Sequence, residues 1–358
     1  MTAALDERKR HILLAVVQEY ITTAEPVGSR SLARRHLSQI SAATIRNEMA
    51  DLEEMGYLEQ PHTSAGRVPS DKGYRYYVDH MLGETTQSLD SIAEGISAEA
   101  QQGIDRLRLH YASGMKAVEE IVLETSQLLS TLTNYISLVS APSSQQSSLY
   151  RVQLVEMGAG QAVAMLVTNT GHIANRVIQV PPEADQAWLN QVSEFLSKHL
   201  HGRPLQQLAA DGMMELRLQL AGQIREYEML FDLLLELVSE STPEKLYLGS
   251  TTQILTLPEF QDLDRTRKLL SFIEADQRLQ QLLIHSDDGT SSVQVRIGRE
   301  HSVQDVEKLS LVSAAYKLHG RPLGYLGILG PTRMDYAQVV TIVREVSNLL
   351  SEALGRTD

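Results

Sequence analysis

The chain has 358 residues, of which 42% are hydrophobic and 22% are charged, as in an ordinary globular protein of two or three domains. It contains no cysteine, which excludes disulfides, thiolate metal sites and cysteine nucleophiles. No segment approaches the ~20 consecutive apolar residues that cross a bilayer, and no apolar signal core is visible near the start. The sequence therefore predicts a cytoplasmic protein.

The formal net charge of −13 is unevenly distributed. Residues 1–82 hold 10 lysines and arginines and 11 acidic residues, whereas the remainder holds 22 and 34. The first part is therefore close to neutral and carries its cations in clusters. Because local charge decides where a polyanion docks, the overall acidity does not exclude nucleic-acid binding by this part.

Apolar spacing in the first part predicts helices over 5–22, 29–37 and 41–55, with Ser29 and Ser41 as N-caps of the second and third. Strand-like residues follow at 57–60 and 67–69, on either side of a connection at 61–66. Another helix is predicted from about 70 to 82. Three helices, a β-hairpin and a helix are typical of a winged helix-turn-helix.

The rest of the chain predicts an α+β multidomain protein. Long helices are expected within 90–130, followed by strands at 135–140, 152–157, 163–168 and 173–180. Helical periodicity returns at 184–200 and 213–240. Strands reappear at 293–297, 309–318 and 323–329, before a last helix at 335–354. This order suggests a sheet domain that is interrupted by a mainly helical insertion.

The third helix carries the most informative surface. If Ile45, Met49 and Leu52 face the core, Arg46 and Asn47 lie on the opposite side near the start of the helix. In helix-turn-helix proteins these first turns reach base edges, where Arg pairs with guanine and Asn with adenine. The competing interpretation is an ordinary solvated face, which the spacing alone does not exclude.

Other polar residues of the first part are candidate phosphate or groove contacts. Arg67 would stand at or just after the hairpin tip, where it could enter the minor groove or bind phosphate. The alternative is that the hairpin residues only shape the turn. The complete set of candidate DNA contacts is Arg30, Ser41, Ala43, Thr44, Arg46, Asn47, His62, Ser64, Arg67, Lys72, Tyr74 and Arg75.

Two blocks give the chain a family resemblance. The first runs SAATIRNEMADLEEMGYL at 41–58 and QPHTSAGRVPSDKGYR at 60–75, and the second runs GILGPTRMDY at 327–336 after VRIG at 295–298. Together they resemble the HrcA family, the heat-inducible repressors of bacterial chaperone operons. The resemblance extends from about 5 to 354 and is loosest at about 184–290. Val68 and Ser70 stand where isoleucine and threonine are more usual.

The resemblance implies a winged helix domain at 1–83 and a GAF-like domain in two parts, 90–183 and 291–358. It implies a dimerisation domain inserted at 184–290 between those parts. It also implies a two-fold dimer on double-stranded DNA that carries an inverted repeat, and a GroEL-type chaperonin that keeps the repressor active.

A long amphipathic run at 213–240 is the candidate dimer surface. Its apolar side chains lie on more than one side of the helix, so one side is free for a partner. The alternative is that the insertion packs on its own sheet domain. The candidate dimerisation residues are Leu216, Leu220, Ile224, Tyr227, Leu230, Phe231 and Leu234.

Other kinds of site are weakly supported. His199 and His201 alternate at a helix end, but no third metal ligand is near, so neither a metal nor a cofactor is predicted. A GAF-like domain could hold a small ligand, which leaves a ligand-sensing repressor as the alternative function. No catalytic arrangement of side chains stands out, and no enzyme is predicted.

Overall fold

The computed structural model describes residues 5–62, 65–85, 97–112, 118–142, 148–169, 173–181, 184–204, 245–274, 276–284, 292–301, 308–318 and 320–355. It is a mixed α/β structure. No helix in these ranges is long and apolar enough to cross a membrane.

The first part, which we call the head (5–85), has the predicted order of elements. Its helices and strands are α1 (Glu7–Thr23), α2 (Ser29–Arg35), α3 (Ala42–Glu54), β1 (Leu58–Glu59), β2 (Val68–Pro69) and α4 (Asp71–Thr85). The two short strands form an antiparallel pair. Ser41 caps α3 as predicted, whereas the N-cap of α2 is Gly28 and Ser29 is already helical.

A buried carboxylate joins α1 to α2. Glu19 of α1 is only 8% exposed and accepts hydrogen bonds from three side chains: Arg35 at 2.7 Å, His36 at 2.7 Å and Ser31 at 3.1 Å. These hydrogen bonds lower the pKa of the Glu19 carboxyl, and the bond from His36 has the largest effect. Together they outweigh the desolvation that would raise this pKa. The ionised Glu19 carboxylate therefore links α1 to α2 and to the residue that ends α2.

A five-stranded antiparallel sheet forms the centre of the second part, which we call the sheet domain. Its order is β7-β3-β10-β9-β8. The strands are β3 (Ile136–Ser140), β7 (Leu246–Leu248), β8 (Gln294–Ile297), β9 (Leu309–Leu318) and β10 (Arg321–Pro331). The helices around this sheet are α5 (Ala98–Ala112), α6 (Val118–Thr133), α8 (Leu263–Ile273), α9 (Asp276–Ile284) and α10 (Tyr336–Gly355).

Both faces of this sheet are buried. Val312 and Ile328 face a core that α5, α6, α10 and the head share, while their neighbours Leu311 and Leu329 face a core that includes α8 and α9. The alternation of neighbouring residues between the two cores follows from the two-residue period of a strand. It makes the sheet the middle of three layers.

We call the chain segment 142–244 the insertion, of which the structure describes 142, 148–169, 173–181 and 184–204. The described strands of this segment form a separate sheet. They are β4 (Leu149–Gly158), β5 (Gln161–Thr168) and β6 (Ile173–Gln179), and they pair only with one another among the described strands. Helix α7 (Gln186–Leu200) covers one face of this sheet, and the helix and the sheet together enclose a separate hydrophobic core.

This pairing changes the predicted domain bounds. The segment 90–183 divides between two sheets, because β3 joins the central sheet while β4, β5 and β6 do not. The segment 245–284 packs on the central sheet instead of belonging to the insertion. The chain leaves the central sheet at Ala141 and returns at Lys245, where the Ala141 amide donates to the Lys245 carbonyl at 2.7 Å. The predicted helix at 213–240, with all seven candidate dimerisation residues, lies outside the described residues.

The state of Glu19 gives a testable pH dependence. Because the pKa of Glu19 is lowered in the fold, its contribution to stability is present above about pH 4.5 and is lost as the pH falls through the folded value. We expect Glu19→Gln to lower the free energy of unfolding at neutral pH by roughly 1–3 kcal/mol. Urea unfolding at several pH values measures this difference, which should shrink in acid.

The matched control is Glu25→Gln, since Glu25 is exposed just beyond α1. It should leave the unfolding curve unchanged. A Glu19→Gln deficit that stays constant from neutral to acid pH would show that charge at this position does not stabilise the head.

Candidate nucleic-acid interface

Helix α3 is oriented by a narrow apolar stripe. Ile45, Met49 and Leu52 are buried in the head core, and the Ser41 hydroxyl accepts the Thr44 amide at 3.1 Å to cap the first turn. This Ser41 bond satisfies one of the free amides at the helix start. The remaining surface of α3 therefore faces away from the core.

Arg46 and Asn47 lie on that outward surface. Both are exposed, as are Ala43 and Ala50, whose small side chains permit close approach. Within the described part of the chain, neither Arg46 nor Asn47 forms a side-chain hydrogen bond or ion pair. Two polar side chains that can each form a pair of hydrogen bonds with a base edge are thus free for a ligand.

Unlike Arg46, three of the four carboxylates of α3 form ion pairs with cations from other elements of the head. Lys9 of α1 contacts Glu48 at 2.7 Å and Asp51 at 3.0 Å, and these two carboxylates raise the pKa of Lys9. On the other flank, Arg67 of the hairpin contacts Glu53 through Nε at 2.8 Å and Nη2 at 2.7 Å. Sequence analysis missed Lys9, because no local pattern joins residues about forty positions apart.

The hairpin that carries Arg67 is fixed by its backbone. Val27 and Arg67 exchange two amide-to-carbonyl hydrogen bonds of 2.9 Å. A Cβ atom on Gly66 would lie 2.3 Å from the Val27 carbonyl oxygen, so only glycine permits this approach. His62 is exposed in the connection between the strands, and Ser64 lies outside the described residues.

Of the other candidate contacts, Arg30 is exposed on α2, and Lys72 anchors the end of α3. The Lys72 ammonium donates to the Met55 carbonyl at 2.7 Å and lies 4.2 Å from the centre of the Tyr57 ring. Lys72 is exposed, but its charge is already engaged at the C-terminus of the helix.

The prediction that Tyr74 and Arg75 contact phosphate is wrong for this structure. Tyr74 is 2% exposed and packs near Tyr336 of the sheet domain, and burial raises the pKa of its hydroxyl. Arg75 donates to the Val295 carbonyl at 2.6 Å and is ion-paired with Glu300. Both residues face the sheet domain because they lie on the inner side of α4.

These contacts belong to a polar joint between the head and the sheet domain. Arg333 donates to the Ile21 carbonyl at the end of α1 at 2.7 Å and to Glu259 at 2.6 Å. The Arg299 amide donates to Asp71 at the start of α4 at 3.2 Å. The segments 295–298 and 327–336, which stand out in the sequence, thus hold the head in place.

Neither alternating histidine of the sequence lies in a cluster of metal ligands among the described residues. The Nδ1 atom of His199 contacts the Phe195 carbonyl, and the Nδ1 atom of His201 contacts the Tyr150 carbonyl. No group of three potential metal-ligating side chains occurs among the described residues. A cleft of about 840 Å³ lies between the head and the sheet domain, lined by cations and carboxylates that include Lys268, Lys308 and Glu259.

Comparison with known proteins places the chain in a family. A family model described as the HrcA protein C terminal domain matches residues 119–340. The heat-inducible transcription repressor HrcA of Pelotomaculum thermopropionicum is 41% identical over 356 residues, which cover 98% of this chain and 97% of that protein. The protein of the same name from Desulforudis audaxviator is 41% identical over 352 residues and 98% of both chains.

A solved structure supports the fold over the same extent. It is the crystal structure of a hypothetical protein at 2.2 Å resolution, with a TM-score of 0.66 and 25% identity, and the match covers 99% of this chain and 100% of that one. The relatives and the family model together cover head, sheet domain and insertion. The chain belongs to the HrcA family of heat-inducible transcription repressors.

Proposed function

We propose that the chain is a sequence-specific transcription repressor of heat-shock operons. The head acts as a winged helix and α3 enters the major groove of DNA. The observation that carries this proposal is the free, outward placement of Arg46 and Asn47 on the first half of a capped helix. Family membership supports it, since the relatives are named as heat-inducible transcription repressors. Repression by occupancy needs no catalysis.

The DNA contacts divide by role. Arg46 and Asn47 read bases, and Ala43 lets the helix approach closely. Ser41, Thr44 and the amides at the helix start bind phosphate, as do Arg30 on α2 and His62 on the hairpin. These contacts lie on three separate elements of the head, as docking on both groove and backbone requires.

Base reading is tested by substitution. We expect Arg46→Ala and Asn47→Ala to reduce discrimination between operator and scrambled duplex, because each lost pair of base contacts costs about 1–3 kcal/mol. The operator is first recovered by selection from a random duplex library, in which an inverted repeat should emerge. Titration of each variant on the recovered and scrambled duplexes then measures the loss.

The control is Arg267→Ala, since Arg267 is an exposed arginine on α8 outside the head. It should keep the wild-type preference. Full discrimination in both head variants would instead show that α3 does not read the bases.

We propose that two copies of the chain associate through the insertion. The face of its sheet that no described helix covers carries a cross-strand row, Val155, Val163 and Val177. Val155 is 39% exposed, and Val177 and the nearby Ile173 are 52% exposed. A second copy is a fitting occupant, because an inverted repeat needs two heads related by a two-fold axis.

Excision of the insertion tests this assembly. Because its ends are adjacent, replacing 143–243 by a short Gly/Ser linker should leave the head and sheet domain folded but monomeric by light scattering. The advantage in affinity of the full repeat over a half-site, about a hundredfold for linked heads, should then disappear.

In the intact chain, Val177→Lys should weaken the dimer, while Gln191→Lys on α7 should not. An excised protein that stays dimeric would place the interface in another domain.

We also propose that a GroEL-type chaperonin keeps the repressor active, as the family resemblance implies. A repressor that is prone to misfold would be rescued by free chaperonin, and heat would divert that chaperonin to other clients. Partly inactivated protein should therefore regain operator binding on addition of chaperonin with ATP, measured as the active fraction. Chaperonin without ATP is the control. An active fraction that does not change would count against this partner.

A further inference from the structure

The charge of α3 is unfavourable for a helix that enters DNA. The helix carries one cation, Arg46, and four carboxylates, so its formal net charge is −3. A helix in the major groove has a row of phosphates along each wall. Uncompensated carboxylates on its flanks would repel those phosphates.

One flank is compensated from α1. The Lys9 ammonium lies between Glu48 at 2.7 Å and Asp51 at 3.0 Å, and Arg8 adds a weaker contact with Glu48 at 3.6 Å. Asp51 retains 56% of its side-chain exposure, so it lies where an approaching phosphate would meet it. Besides Asp6, the N-cap of its own helix at 3.5 Å, Lys9 therefore places its charge beside two carboxylates of α3 at the rim of the proposed interface.

The opposite flank is compensated from the hairpin. The backbone at Arg67 is held in place, because Arg67 and Val27 exchange two amide-to-carbonyl hydrogen bonds and Gly66 packs directly against Val27. From this fixed position its Nε donates to one oxygen of Glu53 at 2.8 Å, and its Nη2 lies 2.7 Å from the same oxygen as an ion pair. Its charge is thus committed to α3, which differs from the predicted role of Arg67 as an independent groove or phosphate contact.

We infer that Lys9 and Arg67 are charge-compensating residues of DNA recognition: they cancel the flank carboxylates of α3 so that Arg46 and Asn47 can reach the bases. This inference rests on the proposed function. Its support is that three of the four carboxylates of α3 pair with cations from other elements, while Arg46 has no carboxylate partner within the described residues. Glu54 lies at the far end of the helix, away from the base-reading turns.

The first test removes Lys9 and then the charges that it compensates. Lys9→Met should weaken binding to the selected duplex about tenfold in dilute salt, and the deficit should shrink as salt screens the exposed carboxylates. The triple variant Lys9→Met/Glu48→Gln/Asp51→Asn should return to within about threefold of wild type, because it no longer carries the repelling charges. A purely structural role for Lys9 would not be rescued in this way.

The second test has the opposite sign and leaves Lys9 in place. Asp51→Asn leaves Lys9 paired with Glu48 and removes one negative charge, so binding should tighten by about threefold in dilute salt. On the other flank, Arg67→Met should weaken binding, and Arg67→Met/Glu53→Gln should recover most of the loss. The controls are Lys198→Met on α7 and Asp105→Asn on α5, which change the same charges at exposed positions outside the head.

The outcomes separate this inference from the function on which it rests. Wild-type affinity in Lys9→Met, no recovery in the folded triple variant, or no tightening in Asp51→Asn would each overturn charge compensation while leaving specific binding intact. If Lys9→Met does not fold, the Asp51→Asn measurement decides alone. A wild-type protein that selects no duplex would overturn the proposed function, and the inference with it.

Discussion

The packing of Ile45, Met49 and Leu52 into the head core determines which way the rest of α3 faces. This stripe is narrow, so most of the helix surface lies outside the core. The same contact brings Glu48 and Asp51 within reach of Lys9, while the hairpin brings Arg67 to Glu53. A small apolar contact thus sets the direction in which the charged side chains of α3 face.

The head packs directly against the sheet domain. Its core is continuous with that of the sheet domain through Tyr74 and Tyr336, and Arg75 and Arg333 bond backbone carbonyls across the boundary. Guanidinium groups that bond carbonyls in partly buried positions fix orientation as well as distance. The direction in which α3 points is therefore set by the sheet domain, and a change in the packing of that domain would reach the candidate interface.

Local patterns predicted the elements but not their pairing. The Ser41 cap and the strand at 309–318 followed from capping chemistry and apolar runs, since both are encoded within a few residues. The bounds of the insertion did not follow from local patterns, because the apolar pattern of β4 predicts a strand without indicating which of the two sheets it joins. The sequence alone does not place Tyr74, because a tyrosine suits both a phosphate contact and a core. The partners of Lys9 and Arg75 lie about forty and more than two hundred residues away, beyond any periodicity.

The hydrogen bond between Ala141 and Lys245 has a consequence for the order of folding. The pairing of β3 with β7 closes a loop of about a hundred residues, and the entropy lost in closing a flexible loop increases with its length. The three-stranded sheet and α7 have a core of their own, made of contacts that are closer in sequence. If that core forms first, it holds part of the chain compact and shortens the flexible loop that β7 must close. The insertion would then fold before the edge of the sheet that carries it, so the chain would complete its central sheet last at the strand nearest the insertion.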